Sequence, residues 1–354
     1  MRIPFLSILA MAVSCLGSEV FGESRPNILF IHMEDIGTHI PAYGDHTVAT
    51  PNLDLLASEG VVFERVHVAA ATCAASRGAL FTGLYPHQNG IMGFVQQHGF
   101  HYREGIPTFV RTLRKNGYKT GITYKDGVES AHYKIHPVPF DFHPKYTENH
   151  LSGLTGKNAP EIKSDPPLAG HAVDNFKYFL ENLEERTPFY FQAQTPDTHH
   201  LWDRDWFIRE GEPGWPYPDV DLTNVNTTPG WGEALVPKKA LRKAIGDYYR
   251  AIQRTDWYVG RILSLLEEHG HKENTLVVFS ADHGPSHVLR GKTTAHECGL
   301  RVPFIVRWPG HVKSPGTRSD ALVSFVDLYP SFVSAAGLKP PKHLPGYSIL
   351  PILK

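Results

Sequence analysis

Three places in this 354-residue chain collect side chains able to do chemistry. The first is Cys73, with Arg77 four residues on, in Ala71-Thr72-Cys73-Ala74-Ala75-Ser76-Arg77-Gly78. A cysteine entering a helix N-terminus sits where the helix dipole favours an anion. An arginine one turn later adds positive charge and a planar fork of donors. The pair suits an activated nucleophile beside an oxyanion. The same residues equally describe a half-buried free cysteine ahead of a helix capped by Ser76. The second and third places are Glu34-Asp35 and Asp282-His283. Each follows an apolar run and lies next to a glycine (Gly37, Gly284), so either alone reads as turn chemistry. Taken jointly, they offer oxygens to one divalent cation such as Ca²⁺ or Mg²⁺.

These places can meet only if strand ends converge. Asn27–His32 and Thr275–Ser280 are short apolar runs that read as buried parallel strands. Further strands are expected at Val61–Val68, Tyr118–Tyr124, Phe189–Gln194 and Val302–Arg307. Helices are expected from Thr50 (N-cap) and Pro51 to Gly60, and over Ser76–Thr82, Thr108–Asn116, His171–Glu185 and Val326–Ala336. Leu241, Ile245, Tyr248, Ile252, Val259, Ile262 and Leu266 mark a long amphipathic helix stopped near Gly270. Repeated β-then-α order predicts an α/β fold, with a mostly parallel central sheet and helices on both faces. In such sheets ligands bind beyond the carboxyl ends of the strands, where both acidic pairs stand. Two Pro/Gly-rich segments, 141–170 and 203–237, read as pocket rims. Pro213-Gly214-Trp215-Pro216-Tyr217-Pro218 either stacks on sugar rings or packs its own loop.

The net charge of −1 argues against a general nucleic-acid or membrane-surface binder. A hydrophobic fraction of 41% against 20% charged residues excludes a disordered chain. Residues 1–22 read as a signal peptide: Arg2, an apolar Ile3–Val13 too short to span a bilayer, and a cleavage signal at Val20-Phe21-Gly22. Ala12-Val13-Ser14 is a poor lipobox, which argues against lipoprotein anchoring through Cys15. No later stretch is suited to span a membrane. The expected product is exported, to a periplasmic, extracellular or lysosome-like compartment. The mature chain keeps only Cys73 and Cys298, too few for a disulfide framework, and this raises the question of what Cys73 is for.

Cys73-Ala74-Ala75-Ser76-Arg77, then Thr82-Gly83-Leu84-Tyr85-Pro86-His87, resembles the signature of the type I sulfatases of the alkaline phosphatase superfamily. Arg25-Pro26-Asn27-Ile28-Leu29-Phe30-Ile31 with Glu34-Asp35, Thr50-Pro51-Asn52-Leu53-Asp54, Ser280-Ala281-Asp282-His283-Gly284, Gly291-Lys292-Thr293 and Gly299-Leu300-Arg301-Val302-Pro303 resemble other motifs of that family. The likeness runs from about residue 25 to 351. His87-Gln88-Asn89-Gly90, Gly93-Phe94 and Thr120-Gly121-Ile122 look most like the heparan N-sulfatase (sulfamidase) branch. The resemblance implies a catalytic domain over 25–354 that hydrolyses a sulfuric ester or sulfamate, N-sulfoglucosamine among the candidate substrates. It implies a maturation enzyme that oxidises Cys73 to formylglycine, whose hydrate attacks sulfur and later expels sulfate. It implies one divalent cation, Ca²⁺ before Mg²⁺, held by Glu34, Asp35, Asp282, His283 and modified Cys73. Arg77 would brace the formylglycine, and Lys125 and Lys292 would hold sulfate. His199, with His200 as its rival, would stand at the leaving group.

Several residues depart from that pattern. Glu34 stands where Asp is usual, His283 where Asn is commoner, and Ala75 where Pro is commoner. Gly127 stands where a His is usual, leaving His132 or His136 to supply an imidazole. Cys298 stands where Gly is commoner. The family continues into a smaller C-terminal subdomain that is apparently missing here, so the chain reads as truncated. Two other readings stay open: a phosphoester or phosphonate hydrolase of the same superfamily, and a non-catalytic binder of sulfated carbohydrate.

Overall fold

The computed structural model describes residues 25–123, 126–128, 138–143, 169–199, 202, 217–221, 223, 238–285 and 291–354. The expected signal segment with Cys15, and Lys125, His132, His136 and His200, lie outside them, as does most of 141–170 and 203–237. The described strands are β1 (Asn27–Met33), β2 (Val61–His67), β3 (Lys119–Ile122), β4 (Phe189–Ala193), β5 (Thr275–Ala281), β6 (Phe304–Arg307) and β7 (Thr317–Ser324). They form one sheet in the order β3-β4-β1-β5-β6-β2-β7. β1 pairs in parallel with β5 from Asn27↔Thr275 to Met33↔Ala281, and with β4 on its other side. β3 extends the parallel set beyond β4. β6 is antiparallel to both β5 and β2, and β7 runs parallel to β2. The sheet is thus mostly parallel, with β6 reversed.

Every residue of β1 and β5 is buried, as expected for strands covered on both faces. The helices are α1 (Pro51–Ser58), α2 (Cys73–Thr82), α3 (Pro86–Asn89), α4 (Val95–His98), α5 (Phe109–Lys115), α6 (Ala169–Glu181), α7 (Lys238–Glu268), α8 (Glu297–Leu300) and α9 (Leu328–Ala335). Side chains alternate across β4 and show how the layers divide. Tyr190 meets Phe109 of α5 and Phe332 of α9, at ring-centroid distances of 5.0 and 5.7 Å. Its neighbour Phe191 meets Phe176 and Phe179 of α6, at 4.6 and 4.7 Å. α5 and α9 therefore cover one face of the sheet and α6 the other.

Three expectations need correction. α2 begins at Cys73, one turn before the expected Ser76, so Cys73 and Arg77 share one helix face. Strand β6 starts at Phe304 rather than Val302; Pro303 has no N–H to give to a ladder. β7 was not expected at all. It is an edge strand with a largely polar sequence, TRSDALVS, and Leu322 on it is 67% exposed, so it lacks the apolar run that marks a buried strand.

Thr50 occupies the N-cap position of α1, but its side chain makes no capping hydrogen bond. Asp256 of α7 does that work from outside the helix. Its Oδ1 accepts from Leu53 N at 2.7 Å and its Oδ2 from Asn52 N at 3.2 Å, satisfying two of the orphan donors at the helix start. Tyr217 OH and Asn52 Nδ2 also donate to Oδ2. Tyr217 is thereby buried against α1 and α7. Asp256→Ala is expected to lower unfolding stability by about 1–3 kcal/mol, measured by urea denaturation, with Asp256→Asn retaining part of the cap.

Candidate active site

The three adjacent parallel strands β4, β1 and β5 end side by side, and the loops leaving them carry Gln194, Glu34-Asp35 and Asp282-His283. α2 enters the same place N-terminus first, with all ten of its residues buried. Asp35 takes φ 50, a left-handed conformation that Asp tolerates better than most residues. Its N–H donates to Asp282 Oδ1 at 3.1 Å, which joins the two acidic loops directly.

One ligand atom from each of Asp35, Cys73, Asp282 and His283 lies within 4.8 Å of the others, and all four residues are buried. Cys73 Sγ is 3.3 Å from His283 Nε2, and that nitrogen is 3.4 Å from Asp35 Oδ1 and 3.7 Å from Asp282 Oδ1. The sequence-derived set is thus brought together, apart from Glu34. The Oε1 of Glu34 accepts from Arg77 Nη2 at 3.3 Å, and Glu34 is not in the four-residue group.

Arg77 is fully buried and paired on several edges. Nε donates to Asp282 Oδ2 at 3.0 Å, and Nη1 to Gln194 Oε1 at 2.7 Å. Burial opposes its charge, but the Asp282 and Glu34 carboxylates more than offset that and raise its pKa. Asp282 is likewise held well below the usual carboxylate range: the penalty of burial is outweighed by His283 and Arg77. His283 is raised, because Asp282 and Asp35 overcome its burial. Lys292 Nζ donates to Asp35 Oδ1 and Oδ2 at 3.0 and 3.1 Å, and stands 3.1 Å from His199 Nε2. Its pKa is raised as well, Asp35 overcoming burial.

Lys292 is delivered by a strained turn. Thr293 takes φ 68, rare for a β-branched residue, and its N–H donates to Ala71 O at 2.6 Å, close to Cys73. Gly284 is packed against backbone: a Cβ there would lie 1.6 Å from Cys298 O. At Cys298 the main-chain carbonyl is therefore what this contact uses.

Sequence reasoning missed Gln194. It follows a buried strand, the same signal that marked Glu34 and Asp282, but an uncharged amide was not read as part of the site. Gly127 also gains a physical reason. It has φ 75, and a Cβ on it would meet Arg77 Cδ at 2.5 Å, so the guanidinium stem lies where a side chain would be.

This mostly parallel sheet, with acidic and imidazole side chains at its strand ends, has the alkaline phosphatase-like fold of its structural neighbours. Within that class a family model described as Sulfatase matches residues 26–338, and the chain belongs to the sulfatase family. An ulvan-active sulfatase of Formosa agariphila is 30% identical over 99% of this chain and 61% of its own length. The human N-sulphoglucosamine sulphohydrolase is 30% identical over 94% of this chain and 67% of its own. The chain thus spans about three-fifths to two-thirds of these relatives. A solved structure described as bound to its substrate D-glucosamine-2-N,6-O-disulfate superposes with a TM-score of 0.73 at 23% identity, covering 93% of this chain and 80% of that one. No helix among the described residues is long and apolar enough to cross a membrane.

Gly127→Ala is expected to cost about 1–3 kcal/mol in urea unfolding, combining a left-handed alanine with a displaced Arg77.

Proposed function

We propose that this chain hydrolyses the sulfuric ester or sulfamate of a sulfated sugar. The observation that carries the reading is Cys73 opening a buried helix into a four-residue ligand group, with Arg77 behind it and Lys292 and His199 beside it.

Two carboxylates, an imidazole and position 73 form a donor set that fits a divalent cation, Ca²⁺ before Mg²⁺, with His283 the softer ligand. Such an ion, when bound, lowers the pKa of an attacking hydroxyl and neutralises sulfate oxygens. Formylglycine made from Cys73 by a maturation enzyme supplies a geminal diol, able both to attack sulfur and afterwards to release sulfate. The remaining roles fall to the chain's own groups. Arg77, engaged by Asp282, Glu34 and Gln194, braces the surroundings of position 73 rather than reaching for substrate. Glu34, whose Oε1 accepts from Arg77 Nη2, is proposed as a further ligand of the same cation. Lys292, joined by Lys125, places positive charge where sulfate oxygens gain negative charge. His199, whose Nε2 accepts from the Lys292 ammonium, is the imidazole proposed to relay a proton to the departing oxygen or nitrogen. N-sulfoglucosamine is the substrate we favour, on the likeness to the sulfamidase branch and the similarity to the human enzyme named above. Residues 1–22 are proposed to export the chain, with no lipid anchor at Cys15.

After expression with a maturation enzyme, the peptide containing position 73 is expected to be about 18 Da lighter than its cysteine form. The modified protein is then expected to release sulfate from a panel of N- and O-sulfated glucosamines. Preference for a matched phosphate ester would retire the sulfatase reading in favour of a phosphohydrolase, and sugar binding without turnover would favour a non-catalytic binder. Separately, Ca²⁺ is expected to raise the thermal midpoint by mass action. The rise should vanish in Asp35→Asn and Asp282→Asn; a rise unchanged in both variants would remove the metal from this site.

A further inference from the structure

The loop after β4 carries a buried ion pair that the proposed chemistry does not use. Asp197 and Arg254 are 1% and 6% exposed. Arg254 Nε, from α7, donates to Asp197 Oδ1 at 3.2 Å, and the other carboxylate oxygen accepts from Thr195 Oγ1. With both oxygens engaged inside the protein, Asp197 cannot touch a substrate. The same arginine reaches along the loop, donating through Nη2 to Trp202 O at 3.3 Å, and Trp202 Nε1 donates to Thr198 O at 2.8 Å. Thr198 Oγ1 donates to the carbonyl of Glu34, tying the loop to the end of β1. His199 N closes a turn onto Pro196 O at 2.9 Å. Between these fastenings sits His199, the only member of the stretch 195–199 that is not fully buried, its Nε2 at Lys292 Nζ.

We infer that Asp197 and Arg254 are positioning residues for His199. The pair fixes residues 195–199 and Trp202 between α7 and β1, so that the imidazole is held at the leaving-group side of the site. The inference rests on the proposed sulfatase reading. It gives α7 a part in the reaction although the helix itself donates no group to substrate.

The test uses leaving-group dependence. A proton donor matters for a sugar sulfate, whose departing alkoxide is basic, and little for 4-nitrophenyl sulfate, whose phenolate leaves unaided. The modified full-length protein is compared with Arg254→Lys, which keeps the charge pair but loses the planar fork, and with the double variant Asp197→Asn/Arg254→Met, which leaves no unpaired charge. The double variant is expected to lose about 100-fold in kcat on the sugar sulfate and about 3-fold or less on the aryl sulfate. Arg254→Lys should recover part of the sugar-sulfate loss. Equal losses on both substrates, or none on either, would overturn the positioning role while leaving the sulfatase reading intact. A wild-type protein inert to both sulfates would instead overturn that reading and this inference with it.

Discussion

A guanidinium with no access to water must find acceptors inside the protein, and Arg77 finds them on three strand-end loops at once. Asp282 follows β5, Glu34 follows β1 and Gln194 follows β4. Removing a charge of this kind from water is costly unless its hydrogen bonds are met in good geometry. The fold meets that condition by ending three adjacent parallel strands close together, β1 and β5 level at Met33↔Ala281 and β4 beside them at Ile31↔Ala193. The site and the sheet are thus parts of a single constraint. A slip of β5 against β1 by one residue would turn its side chains to the opposite face and separate Asp282 from Arg77.

The electrostatics follow from the same crowding. Three carboxylates (Glu34, Asp35 and Asp282) face Arg77, Lys292 and His283 within a buried volume. Each cation is held charged by the acids beside it, and Asp282 is held ionised by the cations. Two non-glycine left-handed residues serve the Asp35–Lys292 contact: Asp35 itself, and Thr293 next to Lys292. Local backbone cost is concentrated where charged groups have to be aimed.

Much of this was legible in the sequence for identifiable reasons. Buried strands such as NILFIHM and TLVVFSA announce themselves by unbroken apolar character, and the charged residues that follow them mark the ligand end of the sheet. The Cys73-Ala74-Ala75-Ser76-Arg77 segment marked the site, although its helix starts three residues earlier than the expected Ser76. The edge strand β7 was invisible because an edge is kept polar. The cap on α1 could not be read from Thr50, because the acceptor arrives from Asp256, some two hundred residues away. Gln194 was passed over for its lack of charge, although an amide oxygen serves a guanidinium as well as its geometry allows. The metal ligands Asp35, Asp282 and His283 expected from sequence converge with Cys73, whereas Glu34 turns to the arginine. Lys125 falls outside the described residues.

The bare α-carbon at Gly127 ties the fates of two unusual residues together. Arg77 lies across it, and the extra methylene of Glu34 lets that carboxylate reach the same guanidinium. Placing an imidazole at 127 alone would drive a side chain into the arginine stem; shortening Glu34 alone would withdraw one of its acceptors. Positions 34, 77 and 127 are therefore coupled through one guanidinium: a change at either end of the trio is felt by the arginine between them.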